Sequence, residues 1–187
     1  MNDYDSTEDV MEHKRKVSYW IESFISELSG RSRLHDASKL MSPEKAMFDE
    51  FIPKLKELEF GSAEYKQSLK DMGNALEHHY YMNSHHPEHY EDGIVGMTLL
   101  DLVEMLADWM AAAQAKNTTV NLDYLSERFG ISDQLKSIFL NTLQEEDFWG
   151  DVQHSPIRYL SPVDFRKRKH IKWILEYPSE NDEEIVD

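Results

Sequence analysis

The chain of 187 residues contains no cysteine. That absence excludes disulfides and thiolate-bound zinc, and it leaves imidazole and carboxylate as the side chains able to hold a metal. Long apolar runs are missing as well. No stretch approaches the roughly 18 residues that span a bilayer, and the first residues, Met1-Asn2-Asp3-Tyr4-Asp5, are acidic rather than leader-like. The expectation is a cytoplasmic protein that does not engage a membrane. Bases are scarce too: 20 stand against 36 acids, for a formal charge of -16. The average surface therefore repels nucleic-acid phosphates and anionic lipid, and no broad nucleic-acid-binding face is expected. A small anion can still bind where a divalent cation and a few local bases outweigh a distant, screened field. Neither an internal repeat nor an alternating strand pattern is visible.

The residues that are present predict a folded, all-α chain. An apolar fraction of 40%, with four Trp, nine Tyr and eight Phe, supplies enough material for one buried core at this length. Val10, Val17, Trp20, Ile21, Phe24, Ile25 and Leu28 recur at helical spacing, with Ser6 or Thr7 as a cap and Gly30 as a stop. A short helix is expected from Leu34 to Leu40, and another from Pro43 to about Leu58, which Pro53 should kink or split. Ser62 opens a run whose stripe of Tyr65, Leu69, Met72 and Leu76 reaches a histidine-rich stretch closed by Pro87. Thr98 to Ala115 is the strongest helical pattern, and Leu122–Phe129 and Ser132–Leu143 read as a hairpin joined at Gly130. After Glu145 the character changes, with a basic run at Arg166-Lys167-Arg168-Lys169 and an acidic end. The expected division is a helical metal-binding domain over 9–145 and an extension over 146–187 that packs on it and frays at its acidic end.

Chemistry concentrates around Leu34-His35-Asp36-Ala37-Ser38-Lys39. A neutral imidazole and a carboxylate on adjacent residues can grip one divalent cation if the backbone turns them together and other segments add ligands. His13 precedes this pair, His78-His79 and His85-His86 follow it, and Asp108 lies on the strongest helix. His79, Asn83 and His86 stand at i, i+4 and i+7 and would share a face if helix persisted that far, with His78 and His85 on the neighbouring face. Asp101, Glu104 and Asp108 form one acidic stripe, in which burial of Asp108 would require a cation or donor.

The ordered set His13, His35-Asp36 and Asp108 resembles the HD superfamily of metal-dependent phosphohydrolases over roughly Val10 to Ala115. The stretches Leu76-Glu77-His78-His79, Asn83 to His89 and Asp101 to Trp109 are similar to an HD-like branch frequent in bacteriophages and bacteria. The resemblance implies an HD-type helical bundle with His13, His35, Asp36 and Asp108 as ligands of one divalent ion (Mn, Fe, Co, Ni, Zn or Mg). It further implies a second ion on His79 and His86 with Asp36 bridging. Hydrolysis of a small phosphorylated substrate, a nucleotide by likeness to the smaller members, would follow, in the host cytoplasm if phage-encoded.

Asp36, Lys39 and Glu104 are then the candidate catalytic groups, Lys39 and Asn83 the candidate phosphate contacts, and Glu104 a candidate for orienting a ligand imidazole. Trp20 and Trp109 read as core residues, and His89, His154 and His170 as ordinary ones. Two other readings remain open at this level. One is a non-catalytic acidic protein with a structural metal, imitating nucleic-acid charge. The other is an HD-like di-iron oxygenase. An oligomer is compatible with all three.

Overall fold

The apolar spacings described above produce seven α-helices in the computed structural model, which describes residues 4–59 and 61–144. These are α1 (Thr7–Leu34), α2 (Glu44–Glu57), α3 (Ala63–Asp71), α4 (Asn74–Met82), α5 (Leu99–Ala115), α6 (Leu122–Phe129) and α7 (Asp133–Leu143). Short 3-10 turns occupy Ala37–Leu40, Pro87–His89 and Gly93–Gly96, and no strand occurs among the described residues. The all-α expectation holds. Contacts divide the chain into Met1–Asp133 and Gln134–Asp187, so that α7 belongs almost entirely to the second unit. The extension over 146–187, with its basic run, His154 and His170, lies outside the described residues.

Within the first unit the core forms where α2 meets α3 and α4. Phe48 and Phe51 from α2 enclose Met72, with Met47, Leu55, Leu69 and Leu76 packed around them. Burying each such side chain contributes about 1.5 to 3 kcal/mol. Of the kink or split expected at Pro53, the split does not occur: the proline stands inside a single α2. Its neighbours Phe51 and Leu55 are held in the core, and that packing outweighs the backbone bond that the proline removes.

Three other boundaries differ from the sequence reading. Gly30 does not stop α1, which runs on to Leu34; the chain breaks instead at Asp36, whose φ of 56° is left-handed. The run opened by Ser62 is two helices, because Gly73 takes φ 51° and turns α3 into α4. Helix α4 ends at Met82, where Asn83 becomes extended with φ -124°, four residues before Pro87. Ser62 itself caps α3 as expected, accepting from the Tyr65 amide at 3.1 Å.

The N-terminal helix also departs from expectation in its burial. No residue of α1 is buried, and Trp20 is 60% exposed and Phe24 49%. Helix α1 meets α5, and the junction is polar: Arg31, in its last turn, bonds Asp101 of α5 at 2.6 Å. Trp20 is therefore not a core residue. Trp109, by contrast, stacks on Phe129 with ring centroids 5.9 Å apart.

Candidate metal centre

Among the described residues, four of the six most enclosed large side chains are polar: His79, His85, Glu44 and Asp101. Burial on that scale is costly unless every group is paired, so their partners define the site.

The turn after α1 supplies the first donors. Because Asp36 adopts a left-handed backbone, His35 and Asp36 face one point rather than following the helix. His35 Nε2 lies 3.5 Å from Asp36 Oδ2 and 3.7 Å from Asp108 Oδ1 of α5. The end of α4 and the turn after it supply the rest. His79 Nε2 and His85 Nε2 lie 3.5 and 3.6 Å from Asp36 Oδ1, and His79 Nε2 faces His86 Nε2 at 2.9 Å. Ligand-type atoms of Asp36, His79, His85 and His86 thus fall within 4.8 Å of one another, as do those of His35, Asp36 and Asp108. The two carboxylate oxygens of Asp36 each face one of these sets.

Carboxylates on the outer side hold the rings in place. Glu104 Oε1 accepts from His35 Nδ1 at 3.0 Å and lies 3.3 Å from His85 Nδ1. Glu44, fully enclosed at the start of α2, takes His79 Nδ1 at 3.0 Å, His78 Nδ1 at 2.7 Å and the Ser38 hydroxyl at 3.0 Å. With Nδ1 turned toward these carboxylates, Nε2 of His35, His79 and His85 points inward, the direction that metal-bound imidazoles take. Glu104 is fixed in turn by Arg31 at 3.3 Å.

Two atoms at the centre have no partner among the described residues: Asp36 Oδ1 and His85 Nε2 are buried and make no hydrogen bond. A buried carboxylate oxygen beside an unpaired imidazole nitrogen is a destabilised arrangement that a cation would satisfy. The titration behaviour agrees with crowding. Bonding to Asp108, with Glu104 and Asp36 nearby, raises the His35 imidazole to about 9 despite burial. Burial pushes His86 down to about 2, reinforced by His85 and His79, and it lowers His79 and His85 as well. Burial alone would raise Asp108, but its bond to His35 and the neighbouring imidazoles hold it below the usual carboxylate range.

The sequence-derived set is thus partly assembled. His35, Asp36, His79, His86 and Asp108 converge, Glu104 holds the His35 and His85 rings from outside, and Lys39 bonds Asp36 Oδ2 at 2.5 Å with its ammonium 5.0 Å from the Phe48 ring. His13 does not converge. It is exposed on α1, and a continuous helix of 1.5 Å rise per residue separates it from Leu34 by about 30 Å. His85 moves from a flanking position to the centre, since the turn after Met82 points both His85 and His86 inward with ring centroids 4.2 Å apart. His78 stays outside, on the far side of Glu44. Asn83 is not presented to a phosphate: its amide donates to Ser38 Oγ at 2.8 Å and to the His79 carbonyl at 2.7 Å, bracing the ring it was expected to accompany.

Glu44, Ser38 and Arg31 went unnoticed in the sequence. Only Glu44 carried a signal there, because it shares a helical face with Phe48 and Phe51. Asp101, not Asp108, is the fully buried acid of the α5 stripe. Hydrogen bonds from Thr98, Arg31 and Ser84 hold its carboxyl low against the burial that would raise it.

No helix among the described residues is long and apolar enough to cross a membrane. No curated protein and no solved structure matches the chain. A family model does: residues 2–145, which contain every donor described above, match a family of unknown function, DUF5662, and the chain belongs to that family.

Proposed function

We propose that this protein is a divalent-metal-dependent phosphohydrolase of HD type acting on a small phosphorylated substrate, a nucleotide in the preferred reading. The observation that carries the proposal is the pair of orphaned buried atoms, Asp36 Oδ1 and His85 Nε2, amid imidazoles whose outer nitrogens are tied to Glu44 and Glu104. Such a donor set, rich in imidazole nitrogen and without sulfur, suits Fe, Co, Ni, Zn or Mn better than Mg, the remaining candidate, which prefers oxygen ligands. When bound, a divalent cation supplies an acidified water and neutralises charge on phosphoryl oxygens.

The side chains divide the remaining work. Asp36, with one oxygen toward His79, His85 and His86 and the other toward His35, is placed to serve one ion or two. Lys39 holds a positive charge beside Asp36 and is the group positioned to meet a phosphate oxygen. Glu44 and Glu104 fix the direction of the imidazoles.

The test is a screen of purified protein against nucleoside mono-, di- and triphosphates with each of the six metals, beside His35→Ala and Asp36→Ala. Metal-dependent turnover that disappears in both variants is expected. A folded, metal-loaded protein that turns over nothing would instead mark the metal as a structural staple in an acidic binding protein.

A further inference from the structure

The two sets of donors that share Asp36 differ in chemistry, in burial and in what already occupies their atoms. The inner set, Asp36 with His79, His85 and His86, offers three imidazole nitrogens and one carboxylate oxygen. The His79 and His85 side chains are each 2% exposed. The outer set, His35 with Asp36 and Asp108, offers one nitrogen and two oxygens. Its side chains are 20 to 30% exposed.

Spacing admits a small cation in either set. Donors held tetrahedrally at bonds of about 2.0 to 2.1 Å stand ~3.4 Å apart. The inner gaps to Asp36 Oδ1 are 3.5 and 3.6 Å, with His79 and His86 closer at 2.9 Å, and the outer gaps from His35 Nε2 are 3.5 and 3.7 Å. The sets part company over prior engagement. Both orphaned atoms, Asp36 Oδ1 and His85 Nε2, belong to the inner one. The outer one is engaged without an ion: Lys39 bonds Asp36 Oδ2 at 2.5 Å, and Asp108 Oδ1 lies 3.7 Å from His35 Nε2. An outer ion must therefore displace an ammonium from the oxygen it needs. An inner ion displaces only the contact between His79 and His86.

Imidazole nitrogen suits zinc, cobalt, nickel and iron, whereas carboxylate and water suit magnesium and manganese. Magnesium in particular keeps several waters and is held by one or two carboxylates together with substrate phosphates. We propose that the centre holds two unlike ions: a retained transition-metal ion on His79, His85, His86 and Asp36, and an exchangeable magnesium or manganese ion on Asp36, Asp108 and His35. The exchangeable ion enters as Lys39 leaves Asp36 Oδ2 for an arriving phosphate, so that ion and phosphate bind together. The inference rests on the metal-binding part of the proposed function and needs no hydrolysis.

The experiment loads the full chain with cobalt, dialyses it exhaustively against excess magnesium and counts the cobalt retained. Once magnesium is removed, manganese is titrated in with and without inorganic phosphate, its binding read against a protein-free blank from loss of the free-ion electron paramagnetic resonance signal. One cobalt per chain should survive, and manganese should fill one further site about 100-fold more weakly, more tightly when phosphate is present. His85→Ala, and His85→Gln as the variant that keeps more of the buried volume, should lose the retained cobalt. Asp108→Ala, at a partly exposed position, should keep the cobalt and lose the manganese. Lys39→Met should bind manganese roughly tenfold more tightly than the parent without phosphate, because the competing charge is gone. Two cobalt ions retained alike, cobalt lost in Asp108→Ala as in His85→Ala, or Lys39→Met binding manganese like the parent would overturn the proposal. Its failure is separable from that of the hydrolase. Unlike ions without turnover of any phosphate ester keep this inference and remove the enzyme; metal-dependent turnover by a chain with two equal sites does the reverse. A chain that retains no ion removes both.

Discussion

Glu44 accepts hydrogen bonds from His78, His79 and Ser38 while fully enclosed, so truncating it frees two imidazoles and strands a buried hydroxyl. Glu44→Ala should lower metal affinity about 10- to 100-fold and stability by about 1 to 3 kcal/mol, read by metal titration and urea denaturation; unchanged metal affinity would deny Glu44 any part in orienting the ring. Protonation gives a second expectation, for the metal-free protein. His79, His85 and His86 have lowered folded-state pKa values, so their contribution is present above the unfolded imidazole value near ~6.5 and is lost as pH falls below it. His35 has the opposite sign: its contribution is complete below ~6.5 and is lost as pH rises through about 9. Melts in chelator should therefore show maximal stability near neutrality, lower at pH 5 and lower again at pH 9.5, whereas a steady rise with pH would contradict the His35 environment. Sequence reading pointed to His35, Asp36, His79, His86 and Asp108 through the order of the donors and through the resemblance to HD-type proteins that this order carries. It ranked His85, with His78, as a weaker candidate than His79 and His86, because that residue's direction depends on where α4 ends, and no glycine or proline stands at Met82 to mark the place. Glu44 was legible as an acid in phase with Phe48 and Phe51, but acids in a first helical turn are ordinarily read as partners of the helix dipole.

Among the helices, α5 was the most legible because every determinant agrees: an apolar stripe, a Thr98 cap and an Asp101 that completes a capping box. The α3–α4 break was signalled by Asp71-Met72-Gly73-Asn74, a turn-like cluster hidden by a stripe that continues across it. Helix α1 shows the limit of periodicity, which locates an apolar face without saying whether anything covers it. That face remains exposed along α1, and the helix is tied to α5 by Arg31 with Asp101 and Glu104. Stability should therefore be distributed unevenly. Trp20→Ala and Ile25→Ala should each cost less than about 1 kcal/mol, whereas Phe48→Ala should cost about 3 to 5 kcal/mol. Urea melts of the three variants decide this, and a Trp20→Ala loss as large as that of Phe48→Ala would mean that α1 is packed in solution.

Over the whole molecule, acids exceed bases by 16, and Asp36, Glu44, Glu104 and Asp108 are gathered about one cluster of imidazoles. Self-repulsion in such a chain is relieved weakly by screening salt and strongly by a cation bound at the cluster, since a ligand that binds only the folded state adds its binding free energy to stability. At a hundredfold excess over Kd the gain is about 2.7 kcal/mol, which for a chain of this size raises Tm by roughly 5 to 10 °C. Monovalent salt at equal ionic strength should not reproduce the shift. Asp36→Ala and His85→Ala should abolish it, because each removes one of the two orphaned atoms at the centre. His13→Ala should retain it in full, because α1 carries His13 about 30 Å from the turn that holds His35. Scanning calorimetry of the four proteins, with metal and with chelator, separates the two ligand sets: loss of the shift in His13→Ala would restore the set implied by order along the sequence, and its loss in Asp36→Ala and His85→Ala with retention in His13→Ala supports the set assembled in space.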